Sequence, residues 1–256
     1  MALVRSELRQ DGGHLRLVLD QPKGNVISRA MIGELREQLR AIPAASPIRL
    51  VTLEGAGDHF SYGASVEEHR PALIAEVLPE LHALVFDLLA VRAPTAALVR
   101  GTCLGGGFEV ALACDLIFAS STAVLGVPEI ALGVFPPAAA ALLPLRSGVN
   151  RAARAVQTGQ VRPVAQWMET GLVELSAPAQ ELHAAVDHWY QANLAARSAA
   201  ALRCAAMATR AATRRHLEAV LPELERYYLD TLMATADAVE GITAFIEKRT
   251  PVWSHK

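Results

Sequence analysis

Glu109 and Glu129 lie close in the chain, on either side of a short apolar run that reads as a strand. Paired carboxylates can hold one water and divide the roles of general base and general acid between them. Immediately before Glu109 come Gly105, Gly106 and Gly107. They sit between an apolar run, Thr95 to Gly101, that reads as a buried strand, and Phe108 to Cys114, which has the composition of a helix. The first amides of a helix have no partner inside it and carry the positive end of its dipole. A strand, a bare glycine turn and a helix start can therefore hold an anion or an oxyanion. A second bare amide is offered by Ala64 in Tyr62-Gly63-Ala64-Ser65. Two amides converging on one carbonyl oxygen would form an oxyanion hole. The same residues also fit an ordinary tight turn followed by a partly solvated glutamate, and spacing alone does not bring the four groups together.

The elements that must position them follow from periodicity. Residues 3–8 and 14–19 alternate around Asp11-Gly12-Gly13 and predict a hairpin. Ser28 can cap a helix running to about Ala41, with Ile32, Leu35 and Leu39 on one face. Ile48 to Leu53 predicts a strand, Ser65 to His69 a short helix, and Pro71 to about Val91 a long one striped by Leu81, Leu84, Val85 and Leu88. Further strands are expected at Leu116 to Ser120, Val124 to Gly126 and Leu172 to Leu175. Helices are expected near 138–147, 150–158 and 163–170. From Pro178 onward the pattern is helical, with breaks near Ala196 and Leu221-Pro222. Strands alternating with helices predict an α/β core with parallel pairing. The last 60 or so residues read as an all-helical appendage that packs on a neighbour.

At 256 residues and 52% hydrophobic, the chain can bury a large core, with apolar surface left for a subunit interface. The net charge of -2 argues against general nucleic-acid binding, and the Arg210, Arg214, Arg215 cluster reads as a solvated helix face. Cys103, Cys114 and Cys204 make no CxxC pattern, so neither a zinc site nor a disulfide framework is expected, and a reducing, cytoplasmic setting fits. The first residues show no signal-peptide core. The most apolar stretch, Ile130 to Leu145, contains three prolines and is too short to span a bilayer.

Three segments taken together resemble the signature of the crotonase (enoyl-CoA hydratase/isomerase) superfamily. They are Phe60-Ser-Tyr-Gly-Ala, Gly101-x-x-Leu-Gly-Gly-Gly-x-Glu-x-Ala-x-x-Cys-Asp115 and Leu125-Gly-x-Pro-Glu-Ile-x-Leu-Gly133. The likeness continues through Thr158-Gly159, Gly171-Leu-Val173 and Phe245 to Arg249. It implies an α/β spiral of repeated ββα units over residues 1–195. The helical region 196–256 would be used in trimerisation, with a hexamer built as a dimer of trimers common in the family. It implies an acyl-CoA thioester substrate and no cofactor beyond the coenzyme A of the substrate itself. By position in the motifs, Ala64 and Gly106 would supply the oxyanion amides. Glu109 would help deprotonate and aim the water, and Glu129 would supply the proton to the α-carbon. Ser61, Tyr62 and Gly63 fall in the substrate-binding segment. Lys23 matches a loop that contacts the CoA nucleotide, and Lys248 matches a lysine that reaches a neighbour's CoA.

Having both glutamates points to hydration or its reverse. Gly133-Val-Phe-Pro-Pro-Ala-Ala stands where fatty enoyl-CoA hydratases carry more glycine, so this wall should be stiffer and more apolar. That segment, with Gly63-Ala-Ser-Val-Glu-Glu-His69, looks most like the members that hydrate cyclohexa-1,5-diene-1-carbonyl-CoA to 6-hydroxycyclohex-1-ene-1-carbonyl-CoA in anaerobic aromatic degradation. Phe60, Tyr62, Phe108 and Phe135 are candidate walls for the ring. The alternatives are a general short-chain hydratase or isomerase, and a non-catalytic RNA- or protein-binding homologue. Other enzyme signatures, a Gly-x-Ser-x-Gly elbow or a phosphate loop, are absent from the sequence.

Overall fold

The computed structural model describes residues 2–256. The hairpin forms as β1 (Val4–Arg9) and β2 (His14–Leu19), antiparallel, with Val4 opposite Leu19. Helix α1 (Arg29–Arg40) starts where the Ser28 hydroxyl accepts the Met31 amide, and it buries Ile32, Leu35 and Leu39. β3 (Leu50–Gly55) lies two residues later than the apolar run suggests. A 3-10 turn (Glu67–His69) leads into α2 (Pro71–Ala90), which packs Leu81, Leu84, Val85 and Leu88 into the main core.

β4 (Thr95–Val99) ends earlier than expected. The chain turns at Gly101 and starts a separate short strand, β5 (Thr102–Leu104). Gly101 has φ +52°, and a β-carbon there would sit 2.3 Å from the Asp58 carbonyl oxygen. Helix α3 (Gly105–Ala113) follows directly, so the three glycines are its first turn rather than a loop before it. Every residue of α3 is buried. β6 (Leu116–Ser120), β7 (Val124–Gly126) and a 3-10 turn (Pro128–Leu132) complete the next repeat. Next come α4 (Pro137–Ser147), α5 (Val149–Thr158), β8 (Arg162–Pro163) and α6 (Val164–Met168). The expected strand at Leu172 to Leu175 is displaced to β9 (Leu175–Ala177).

The main sheet has the order β1-β2-β3-β4-β6-β9 and is parallel from β2 onward. A second sheet has the order β5-β7-β8. Each turn of the chain lays one strand in the first sheet and one extended segment in the second: Ser61 pairs with Cys103, and Cys103 with Leu125. This stacking brings the loops after residues 61, 104 and 126 to one side of the molecule.

Helices α7 (Leu182–Asn193), α8 (Ala199–Arg226) and α9 (Ala236–Ile246) finish the chain. The break near Ala196 is present. The one at Leu221-Pro222 is not: α8 runs through Pro222 to Arg226 and continues as a π-helical stretch, Tyr227–Leu232. Packing overrides the proline here, because Ala206, Leu217 and Leu221 are buried and α8 lies on α2 and α4. The helical region is thus fastened to its own core. Arg210, expected on a solvated face, is only 4% exposed. Its guanidinium binds the Asp115 carboxylate and the carbonyls of Val91 and Ala93. Arg214 and Arg215 are the exposed members of the cluster, Arg214 paired with Glu218.

Candidate active site

The stacked loops enclose a cavity of about 530 Å³. Tyr62, Gly63, Ala64, His69, Gly105 and Glu129 line one side, and Gly241, Phe245, Arg249 and Pro251 the other. Ala64 and Gly106 meet: a β-carbon on Gly106 would lie 3.1 Å from the Ala64 β-carbon and 3.2 Å from its nitrogen. The Ala64 strand-like contact with Ile27 uses the Gly63 carbonyl and the Ser65 amide, leaving the Ala64 amide free. The Gly106 amide lies in the first turn of α3, where no intrahelical partner exists. Both amides therefore lie bare and side by side, Ala64 in the cavity lining and Gly106 directly behind the lining residue Gly105. The neighbouring glycines permit the approach. A β-carbon on Gly107 would strike Ser61 at 2.5 Å, and one on Gly105 (φ +47°) would strike Glu129 Oε1 at 2.5 Å.

Glu129 lines the cavity, and Glu109 is buried on α3 outside its lining, near enough for its charge to act on Glu129. Glu109 is 3% exposed on α3, and its Oε1 accepts the Ala139 amide at 2.9 Å. Burial raises its proton affinity, while that amide and the charge of His82 pull the other way. Glu129 is half-buried, but its Oε2 is wholly enclosed and has no hydrogen-bond partner among the described residues. Burial first, and the Glu109 charge second, push its pKa up to about 8. Among the described residues neither carboxylate is in a salt bridge, and the charge of His82 is the one cation that acts on Glu109. The two carboxylates titrate as a coupled pair, burial raising the proton affinity of both.

The other candidates divide. Tyr62 and Gly63 line the cavity; the Tyr62 ring covers Gly24 and leans on His59 with centroids 4.9 Å apart. Ser61 is fully buried, and its hydroxyl accepts the Gly63 amide at 3.1 Å, so it shapes the turn instead of facing the cavity. Phe60 and Phe108 are core residues, Phe108 packed edge-on against Trp167 at 5.3 Å. Phe135 packs on Tyr227 and Tyr228 outside the cavity lining. These three rings are not walls of the cavity: Phe108 points from α3 into the core, Phe60 is buried in the bend after β3, and Phe135 packs on Tyr227 and Tyr228 from a loop. Lys23 is exposed in a tight turn, next to the Gly24 that underlies Tyr62. Lys248 (φ +56°) ends α9 beside Phe245 and Arg249 without lining the cavity itself.

Three residues escaped the sequence reading. Gly105 makes room for Glu129. His69, tied through Nδ1 to the Ser65 carbonyl at 2.7 Å, adds a polar group to a largely apolar wall. Tyr228 brings a buried hydroxyl near both glutamates, whose charges, after burial, raise its pKa. Gly105 and His69 lay in segments the motifs had marked, though without these roles; Tyr228 did not. Among the described residues no cluster could hold a metal ion, and no helix is long and apolar enough to cross a membrane.

The sequence pattern of the enoyl-CoA hydratase/isomerase family matches residues 10–256. The chain is 42% identical to the cyclohexa-1,5-dienecarbonyl-CoA hydratase of Thauera aromatica, over 97% of this chain and 96% of that one. It is 32% identical to the 2,3-dehydroadipyl-CoA hydratase of Escherichia coli K12, over 93% of each. The crystal structure of an enoyl-CoA hydratase from Mycobacterium avium subsp. paratuberculosis K-10 superposes with a TM-score of 0.86 at 30% identity, over 99% of both chains. The protein belongs to the enoyl-CoA hydratase/isomerase family, has the crotonase fold, and is an enzyme of that superfamily.

Proposed function

We propose that the protein is a hydratase acting on a conjugated cyclic dienoyl-CoA, cyclohexa-1,5-diene-1-carbonyl-CoA, in aromatic degradation. The observation that carries this is the pair of enclosed carboxylates, in no salt bridge, beside two bare amides. The identity with the Thauera aromatica hydratase supports the choice of acyl group.

In this reading the Ala64 and Gly106 amides bind the thioester oxygen, each typically contributing about 3 to 4 kcal/mol to the charged intermediate. Glu109 takes a proton from the water, whose oxygen attacks the β-carbon, C2 of the ring. The electron pair moves through C1 into the thioester oxygen and gives a dienolate. For a linear enoyl ester the Glu129 proton would then go to the α-carbon. For the cyclic diene, the named product requires it to go to C5, leaving the double bond between C1 and the old C6. The addition is redox-neutral, and carboxylates and amides carry it. Lys23 and Lys248 are proposed contacts of the CoA nucleotide, Lys248 from a neighbouring copy in a trimer or dimer of trimers.

The test is a paired assay with the cyclic dienoyl ester and crotonyl-CoA, run in D2O. Preference for the cyclic ester, with deuterium at the old C5, which is C3 of the 6-hydroxy product, is the expected result. Preference for crotonyl-CoA would make the protein a general short-chain hydratase. Inactivity on both would overturn hydration.

A further inference from the structure

Tyr228 is 1% exposed, and its hydroxyl has no hydrogen-bond partner among the described residues. Such a group is uncommon, since a buried hydroxyl without a partner loses about 1 to 3 kcal/mol. Glu129 Oε2 is enclosed and unpartnered in the same way. The two orphans belong to one place: Tyr228 packs in one apolar cluster with Leu132 and Val134, which line the cavity beside Glu129, and the Val134 amide donates to the Glu129 carbonyl at 3.3 Å. The charges of Glu129 and Glu109 act on its hydroxyl. Tyr228 is carried on the π-helical stretch after α8, a backbone form that often marks functional sites. Its ring is fixed by Ile74 and Leu78 of α2, by Val134, by Ala238 and Ile242 of α9, and edge-on by Phe135 at 5.5 Å. The hydroxyl is thus held rigidly in an apolar shell beside two groups that handle a water.

We propose that Tyr228 is a third catalytic residue, its hydroxyl accepting the second O–H of the water whose first O–H is taken by Glu109. This rests on the hydratase reading. Glu109 alone fixes one O–H direction and leaves the water free to turn. A second acceptor on a rigid ring aims the oxygen lone pair at the β-carbon. The phenol stays neutral throughout: its proton is not transferred, and the water's two hydrogens end on Glu109 and on the product hydroxyl.

Tyr228→Phe removes only the hydroxyl and keeps the ring. On the enoyl ester that the wild type hydrates best, kcat is expected to fall by about ten- to hundredfold with KM nearly unchanged. Thermal stability is expected to stay level or rise, because an unpartnered buried hydroxyl is removed. A variant with wild-type kcat overturns the proposal. So does a clear loss of stability with kcat falling only in proportion to the folded fraction, since the hydroxyl would then have a structural partner. If the wild type hydrates no enoyl ester, the hydratase reading itself fails, and this inference with it. An active wild type with an unaffected Phe variant sinks this inference alone.

Discussion

Two buried charged clusters border α3, one just past its C-terminal end and one along its first half, and they are built on opposite rules. Past its C-terminal end Asp115 accepts the Thr95 amide and binds Arg210, whose remaining donors reach backbone carbonyls. Arg146 adds bonds to the carbonyls of Leu112 and Asp115. Charge meets charge and every donor has a use. Along its first half Glu109 and Glu129 act on each other with no salt bridge, and an oxygen of Glu129 is left without a partner. A satisfied network holds its geometry and its protonation state. An unsatisfied one keeps proton affinities near neutral, where protons can be exchanged with a substrate. One short helix therefore borders both a fastening and a reactive pair.

The contrast is broken most directly at Glu129. Glu129→Gln should lower the hydration rate by about 10² to 10⁴-fold while leaving thermal stability equal or higher. Steady-state kinetics beside a melting curve would show it, and a mutant keeping most of its turnover would contradict the division of roles. The opposite pattern is expected at the other cluster. Arg210→Met leaves Asp115 without its cation and should destabilise the fold by about 3 to 5 kcal/mol in denaturant titrations. Its kcat per folded molecule should stay near wild type.

A smaller effect sharpens the comparison through pH. The Glu129 pKa is raised in the folded state to about 8 from an ordinary 4.5. The folded protein therefore holds a proton that the unfolded chain releases between those values. Its stabilising contribution is complete below pH 4.5 and is lost as pH rises through about 8, by at most about 1.4 kcal/mol per pH unit. Melting temperatures of Glu129→Gln should lack this decline, and the wild-type hydration rate should fall above about pH 8. Parallel stability–pH curves for the two proteins would refute the assignment.

Much of this was legible in the sequence where local signals agree with the fold. Ser28 caps α1, the stripe of α2 is buried, and Tyr62-Gly63-Ala64 and the glycine triplet do meet. The spiral itself, which pairs Ser61 with Cys103 and Cys103 with Leu125, rests on non-local pairing and was reached by resemblance rather than by periodicity. What stayed hidden depends on tertiary packing. Pro222 reads as a helix stop, but burial on both sides carries α8 through it. Arg210 reads as solvated beside Arg214, though one helix face turns it inward to Asp115. Phe108 and Phe135 have the right type for ring walls, but type does not say which way a side chain turns. Tyr228 stands outside every motif, and nothing in its neighbours signals that a π turn brings it to the glutamates.

The cavity draws its reactive groups and much of its far wall from different parts of the chain. Amides and carboxylates come from residues 64–129, whereas Gly241, Phe245, Arg249 and Pro251 come from the end of α9 and the segment after it. That segment is clipped in place by its own bonds, Glu240 holding Arg249 and the Val252 amide, and Asp237 holding Ser254 and His255. Descendants of such a chain can exchange the acyl groups they accept by rewriting a dozen residues at one edge. The amides and carboxylates proposed to act on the substrate need not drift with them.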